Sequence, residues 1–150
     1  MQRRMLSGTY ECSLDNRFRL AIPARVRDAF AEGAAVSAWF DDCAIVAPRL
    51  EWPSIVERVF GEMDVQNPQQ RLLSRYLHAY TQEIDALDRQ GRIIVPENLR
   101  ELAGLTGKVK VVGAGEYLEI WNPARLEESF EAARREGVST HGKPVDERAD

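Results

Sequence analysis

The sequence has few of the residues that bind metals or form disulfides. It contains two cysteines and two histidines among 150 residues. Cys12 and Cys43 lie far apart and outside any C-x-x-C spacing, and neither histidine stands at ligand spacing from a cysteine. In a reducing compartment, isolated thiols of this kind are expected to be buried apolar side chains. We therefore expect no metal centre, no structural disulfide and no cofactor.

Long hydrophobic runs are missing as well. No stretch approaches the roughly 20 apolar residues that span a bilayer. The opening MQRRMLSG has no apolar stretch of signal-peptide length, and translation from Met5 instead of Met1 is an open alternative. We expect a cytoplasmic protein without a membrane partner.

The motifs of common enzyme classes are also absent from the sequence. There is no nucleophile motif, no glycine-rich phosphate loop after a strand and no set of metal ligands. Asp41 and Asp42 are predicted to form a surface turn rather than a general acid and base. The chain is therefore expected not to be an enzyme and to take no small-molecule substrate.

Basic residues are slightly outnumbered by acidic ones, and they are unevenly distributed. The net charge is −4, although nucleic-acid binding depends on neutralising phosphates. Residues 15–27 hold four arginines and one aspartate, for +3, and residues 88–100 carry +1. Residues 127–150 carry −3. The positive charge is therefore concentrated in two short windows, which is where a polyanion would bind.

The two windows belong to an internal repeat. LDNRFRLAIP at residues 14–23 aligns without a gap with LDRQGRIIVP at residues 87–96, and Arg27 aligns with Arg100 at the same offset. A later segment, 44–51, resembles 118–127 with a small drift in spacing. Two copies are too few for a solenoid, so duplication of one small domain is the better explanation.

Both copies predict the same order of elements, so the fold class is α+β. The strands are predicted at 9–14, 19–22, 36–40 and 44–46 in the first copy, and at 83–87, 92–95, 108–112 and 117–121 in the second. Short helices are predicted at 24–30 and 98–103. Longer ones are predicted at 51–63, after the Asn67-Pro68 start signal, and after Asn122-Pro123 up to Gly137. The predicted units are domain 1 at 5–66, domain 2 at 67–137 and a flexible tail at 138–150.

Each copy contains Asp-x-x-x-Arg at a predicted strand-turn-strand junction. The aspartate can accept hydrogen bonds from the backbone N–H groups of the turn, and Gly91 can adopt the left-handed conformation such a turn requires. The arginine is a good ligand for phosphate or guanine, although a structural ion pair alone is the simpler alternative. The candidate DNA-binding residues are Asp15, Arg17, Arg19, Arg25, Asp88, Arg89 and Arg92.

These motifs resemble the MraZ family. The resemblance is carried by GTY at 8–10, LD at 14–15, RL at 19–20, IPA at 22–24, EW at 51–52, DRQGRI at 88–93, VP at 95–96 and LEIW at 118–121. It implies tandem SpoVT/AbrB-type swapped-hairpin β domains, double-psi β-barrel-like, with flanking helices. It also implies a ring-like homo-oligomer at the nucleoid. Such a protein would bind repeated boxes in double-stranded promoter DNA and repress the division and cell-wall gene cluster, including its own promoter.

Two points stay open at the level of sequence. The family usually has glycine where this chain has Phe18, whose ring is predicted either to fold onto a neighbouring strand or to pack against a partner or DNA. The alternative function is a protein-interaction module with the same fold, either antitoxin-like through the acidic tail or an assembly scaffold. The apolar helix stripes fit either core packing or an interface between subunits.

Overall fold

The computed structural model describes residues 5–137; residues 1–4 and the predicted tail at 138–150 lie outside the described residues. The strands are β1 Thr9–Ser13, β2 Arg19–Ala21, β3 Ala34–Ala38, β4 Ala44–Pro48, β5 Gln82–Ile84, β6 Arg92–Ile94, β7 Lys108–Gly113 and β8 Leu118–Trp121. The α-helices are α1 Trp52–Phe60, α2 Pro68–Tyr80, α3 Glu97–Ala103 and α4 Pro123–Arg135, and a 3-10 helix covers Ala24–Phe30. The α+β class with two tandem repeats and flanking helices is confirmed.

The two copies interlock through their strands. Six strands form an antiparallel sheet in the order β1-β7-β8-β4-β3-β5, and β2 pairs with β6 in a separate ribbon. The first strand of each copy pairs with the third strand of the other, as β1 with β7 and β5 with β3. If each strand is replaced by its counterpart in the other copy, the sheet has the same strand order read from its opposite edge. The two copies are therefore related by an approximate two-fold axis. The predicted boundary between 66 and 67 falls between α1 and α2 and stays a prediction.

The central strands of the six-stranded sheet, β3 and β4 above all, are buried on both faces, whereas the edge strands β1 and β5 are partly exposed. Along β4, Val46 faces the core beneath the β2–β6 ribbon, whereas Ile45 faces the core beneath the helices. Leu20 and Ile93 of the ribbon close the first core, and Ile55 of α1 belongs to the second. Burial on both faces explains why β3 and β4 read as short continuous apolar runs rather than as alternating ones.

Turn chemistry decides where several elements end. The strand predicted at 36–40 is observed as β3, which begins and ends two residues earlier. It ends there because the chain soon turns at Asp41 and Asp42, whose φ angles are 61° and 58°. This confirms the predicted turn at the acidic pair. Helix α1 is shorter than predicted, since Gly61, with φ 71°, ends it at Phe60.

The two asparagine start signals work as predicted. The Asn67 side chain accepts hydrogen bonds from the backbone N–H of Gln69 at 3.0 Å and of Gln70 at 3.3 Å. The Asn122 side chain does the same for Ala124 at 2.9 Å and Arg125 at 3.2 Å. Each cap supplies acceptors for N–H groups that the first turn of a helix leaves unpaired.

Candidate nucleic-acid interface

The first turn is organised by the carboxylate of Asp15. One oxygen accepts hydrogen bonds from the backbone N–H of Arg17 and of Arg19, both at 2.9 Å. The other accepts from the Arg19 Nε at 2.7 Å. The backbone N–H of Phe18 donates to the Asp15 carbonyl at 2.9 Å, which closes the turn. Asp15 therefore both shapes the turn and holds the arginine that leaves it.

The second turn repeats this arrangement around Asp88. Its carboxylate accepts from the backbone N–H of Gln90 and of Arg92, both at 2.9 Å, and from the Arg92 Nε at 2.8 Å. The N–H of Gly91 donates to the Asp88 carbonyl at 2.9 Å. Because the bonds are the same in both copies, Phe18 and Gly91 occupy equivalent positions, with φ 60° and 74°.

Pairing of β2 with β6 brings the two turns together. In the ribbon Arg19 lies opposite Ile94 and Arg92 lies opposite Ala21. These residues alternate with the buried pair Leu20 and Ile93, so both arginines lie on the face that points away from the core. Two arginines that are far apart in the sequence thus share one surface.

Both turn carboxylates are held in the charged form. The backbone N–H of Arg19, followed by its side chain, lowers the pKa of Asp15 to about 2. The corresponding groups of Arg92 lower the pKa of Asp88. At neutral pH each carboxylate therefore orients a guanidinium group. Among the described residues, neither terminal amino group of Arg19 has a hydrogen-bonding partner.

The other predicted site residues are exposed but less tightly held. Arg17 and Arg89 lie in the two turns, and Arg25 lies in the 3-10 helix. None of these side chains makes a hydrogen bond or an ion pair with another residue in the range 5–137.

The structure thus joins Asp15, Arg19, Asp88 and Arg92 in one cluster, with free positive charge nearby in the turns. That these residues bind DNA stays a prediction.

Sequence reasoning did not assign a role to Arg27 and Arg100, although their recurrence at the repeat offset was a signal. Arg27 donates from Nε and Nη2 to the Ile22 carbonyl at 3.0 and 2.7 Å. Arg100 donates from Nε to the Val95 carbonyl at 3.1 Å. Each arginine therefore binds the backbone just beyond the ribbon strand of its own copy.

The two copies differ where these arginines meet the opposite turn. A Cβ atom at Gly91 would overlap the Arg27 side chain, so only glycine fits there without displacing it. At the equivalent position, the ring of Phe18 stacks with Arg100, whose Cζ lies 3.5 Å from the ring centroid. Phe18 therefore has a partner in the other copy and remains 45% exposed.

The described part of the chain offers no metal cluster, and its thiols are not paired. Residues 5–137 contain no group of three or more His, Cys, Asp or Glu side chains that could hold a metal ion. No helix within this range is long and apolar enough to cross a membrane. Both cysteines are free; Cys43 is buried and Cys12 half-buried, and burial raises the pKa of each thiol.

Comparisons with known proteins agree with the internal repeat. A family model described as "MraZ protein, putative antitoxin-like" matches residues 5–76 and again 75–148. Proteins named transcriptional regulator MraZ are similar over most of the chain. The one from Roseiflexus castenholzii is 38% identical over 128 residues, 85% of this chain and 88% of that protein. The one from Saccharopolyspora erythraea is 40% identical over 139 residues, 88% of this chain and 96% of that protein.

Proposed function

The chain belongs to the MraZ family of transcriptional regulators, and we propose that it binds promoter DNA through its two Asp-x-x-x-Arg turns. In this proposal it is a sequence-specific repressor of the division and cell-wall gene cluster, including its own promoter. It acts in the cytoplasm at the nucleoid and catalyses no reaction. The observation that carries the proposal is the pair of aspartate-held arginines, Arg19 and Arg92, on the outward face of one ribbon.

The chemistry of these side chains suits base recognition. Each arginine donates a hydrogen bond from its Nε to an aspartate. This bond restrains the side chain, so less rotamer freedom is lost on binding, and it leaves terminal N–H groups for an external acceptor. The guanidinium fork matches the two acceptors of guanine in the major groove. The exposed Arg17, Arg25 and Arg89 carry unpaired positive charge suited to phosphates, which fix the register without reading sequence.

One chain supplies only one pair of turns, which is too few contacts for tight binding at physiological salt. A ring-like homo-oligomer on DNA with repeated boxes gains affinity without new kinds of contact. Exposed apolar side chains support such assembly: Phe40 is 52% exposed, Leu72 is 61% exposed and Tyr76 is 44% exposed. Apolar groups of this size on a surface often mark interfaces between proteins.

Fluorescence anisotropy with the duplex upstream of the gene and a scrambled duplex tests the DNA proposal. We expect at least a tenfold preference for the upstream duplex, and a steep loss of affinity with added salt. Arg19→Ala and Arg92→Ala should each weaken binding about tenfold or more, as loss of a bidentate base contact does. The matched control is Arg135→Ala, at an exposed arginine on α4. Equal affinity for both duplexes, unchanged by these substitutions, would instead favour a protein-interaction module.

Sedimentation velocity tests assembly separately. The wild-type chain should sediment as a species larger than a monomer. The double variant Leu72→Gln with Tyr76→Gln should dissociate, because it replaces the two most exposed of the three large apolar side chains that α2 exposes, the third being Leu73. His78→Gln, at an exposed polar position on the same helix, is the control. A wild-type monomer at micromolar concentration would contradict the oligomer proposal while leaving DNA binding to be judged by anisotropy.

A further inference from the structure

The backbone of Phe18 is unusual for its residue type. Among residues 5–137, the non-glycine residues with left-handed φ are Phe18, Asp41 and Asp42. Aspartate tolerates this conformation, but an aromatic residue rarely adopts it. Gly91 fills the equivalent position of the other turn without strain. Strained residues persist where other interactions hold them, and they cluster at functional sites.

The ring of Phe18 is held on one side and open on the other. The Arg100 guanidinium lies over one ring face, with Cζ 3.5 Å from the centroid. Arg100 is itself tied to the Val95 carbonyl by its Nε. This cation–π contact fixes the ring, yet 45% of the residue remains exposed. The exposed ring surface is therefore preorganised rather than free to rotate.

The neighbourhood of the ring is basic on balance, because three arginines outnumber Asp15, which is paired with one of them. Phe18 stands between Arg17 and Arg19 in the turn and beneath Arg100. A surface with this charge is complementary to DNA, but an aromatic ring cannot bind a phosphate. The apolar group that B-DNA presents in its major groove is the C5-methyl group of thymine.

We propose that Phe18 is a base-contacting residue that packs against a thymine methyl group in the half of the site bound by the first turn. The inference rests on the proposed DNA-binding function and adds a specificity-determining residue to it. Gly91 has no side chain, so the second turn cannot make this contact. The two turns therefore read different bases, and one protomer recognises an asymmetric sequence despite its approximate two-fold symmetry.

Ile94 is a second exposed apolar side chain on the ribbon and a competing explanation for any thymine preference. It is 60% exposed and lies opposite Arg19. Unlike Phe18, it belongs to a regular strand and has unstrained backbone geometry. A substitution at Ile94 therefore serves as the matched control.

The test replaces thymines of the upstream duplex, one at a time, with deoxyuridine. This change removes the methyl group and keeps the hydrogen-bonding pattern and charge. At one position in each box, wild-type affinity should fall about fourfold, the effect of losing one buried methyl-sized group. Phe18→Gly should bind more weakly and show no further loss with deoxyuridine. Ile94→Ala should keep the fourfold loss.

The outcomes separate the two proposals. Phe18→Gly is expected to fold, because glycine supports the same turn at position 91. If wild-type binding is indifferent to every deoxyuridine while Arg19→Ala still weakens it, the Phe18 contact is wrong and the DNA-binding function stands. If Ile94→Ala, and not Phe18→Gly, removes the thymine dependence, the contact belongs to Ile94. If the wild-type chain does not prefer the upstream duplex, both proposals fail.

Discussion

The Nη1 atom of Arg92 lies 3.6 Å from the Oδ2 atom of Asp15, so the arginine of the second turn reaches the aspartate of the first. The same oxygen accepts the 2.7 Å hydrogen bond from Arg19. Within residues 5–137 no matching ion pair joins Arg19 to Asp88. Asp15 thus interacts with both arginines, whereas Asp88 interacts with one, and this asymmetry gives the first prediction.

Asp15→Asn should disturb DNA recognition more than Asp88→Asn. The amide oxygen of asparagine can still accept the backbone bonds of the turn, so its shape is kept. The charge that holds Arg19 and Arg92 is lost in the first variant, but only the charge that holds Arg92 in the second. We expect the ratio of upstream to scrambled affinity to fall about tenfold for Asp15→Asn, and less for Asp88→Asn. An equal or larger effect of Asp88→Asn in anisotropy titrations would contradict the coupling.

The low pKa of Asp15 predicts how stability depends on pH. Its pKa is 3.8 ordinarily and about 2 in the folded chain, chiefly because of the backbone N–H of Arg19. Between these values the unfolded chain binds more protons than the folded one, so stability rises with pH there. The contribution is complete above about pH 4 and is lost as the pH falls toward 2.

Carbon-13 NMR titration of the Asp15 carboxyl measures this pKa directly. Arg19→Met should raise it only part of the way to 3.8, because the backbone hydrogen bond of residue 19 remains. In urea unfolding, Asp15→Asn should lose less stability than the wild-type chain between pH 5 and pH 3. A wild-type carboxyl that titrates near 3.8 would disprove the proposed hydrogen-bonded state.

Two glycines with similar φ separate backbone strain from packing. Gly91 has φ 74° and Gly104, which is left-handed, has φ 63°, but an added Cβ would overlap the Arg27 side chain at the first, whereas at the second its nearest neighbour, Arg125, lies 3.1 Å away. Alanine at either position pays the left-handed backbone cost of roughly 1–2 kcal/mol. Gly91→Ala should cost about 1 kcal/mol more, because it displaces Arg27 from the Ile22 carbonyl. Equal losses in urea unfolding would show that Arg27 moves aside freely.

The two capping asparagines form a second matched pair. Asn67 and Asn122 both cap helices, but the Asn122 Nδ2 also donates to the Gly104 carbonyl at 2.9 Å, just after α3. Asn67→Ala should lower the free energy of unfolding by about 1 kcal/mol, the usual value of a cap. Asn122→Ala should lower it by about 2 kcal/mol, since one further hydrogen bond is lost. The reverse order in thermal or urea unfolding would contradict this role of Asn122.

The features that the sequence predicted well are those held by short-range bonds. The turn at Asp15 closes within five residues, and the caps at Asn67 and Asn122 act on N–H groups two and three residues ahead. Such bonds depend on residue type and spacing, which can be read from the chain. The gapless alignment of the two repeats places Phe18 and Gly91 at the same position of the turn, so the sequence also indicates where left-handed φ is needed.

Strand partners depended on the whole chain. Pairing of β2 with β6 and of β1 with β7 satisfies the same alternation of apolar residues that pairing within one copy would satisfy. The choice follows from closing two cores on both faces of one sheet, which is a property of all strands together. The Arg92–Asp15 approach and the Phe18–Arg100 stack join opposite copies and result from that choice. The sequence by itself determined the two copies, their turns and the residues that carry charge. The tertiary structure decided that the turns share one surface and that they differ, because partner choice is settled by burial across the whole molecule rather than by neighbouring residues.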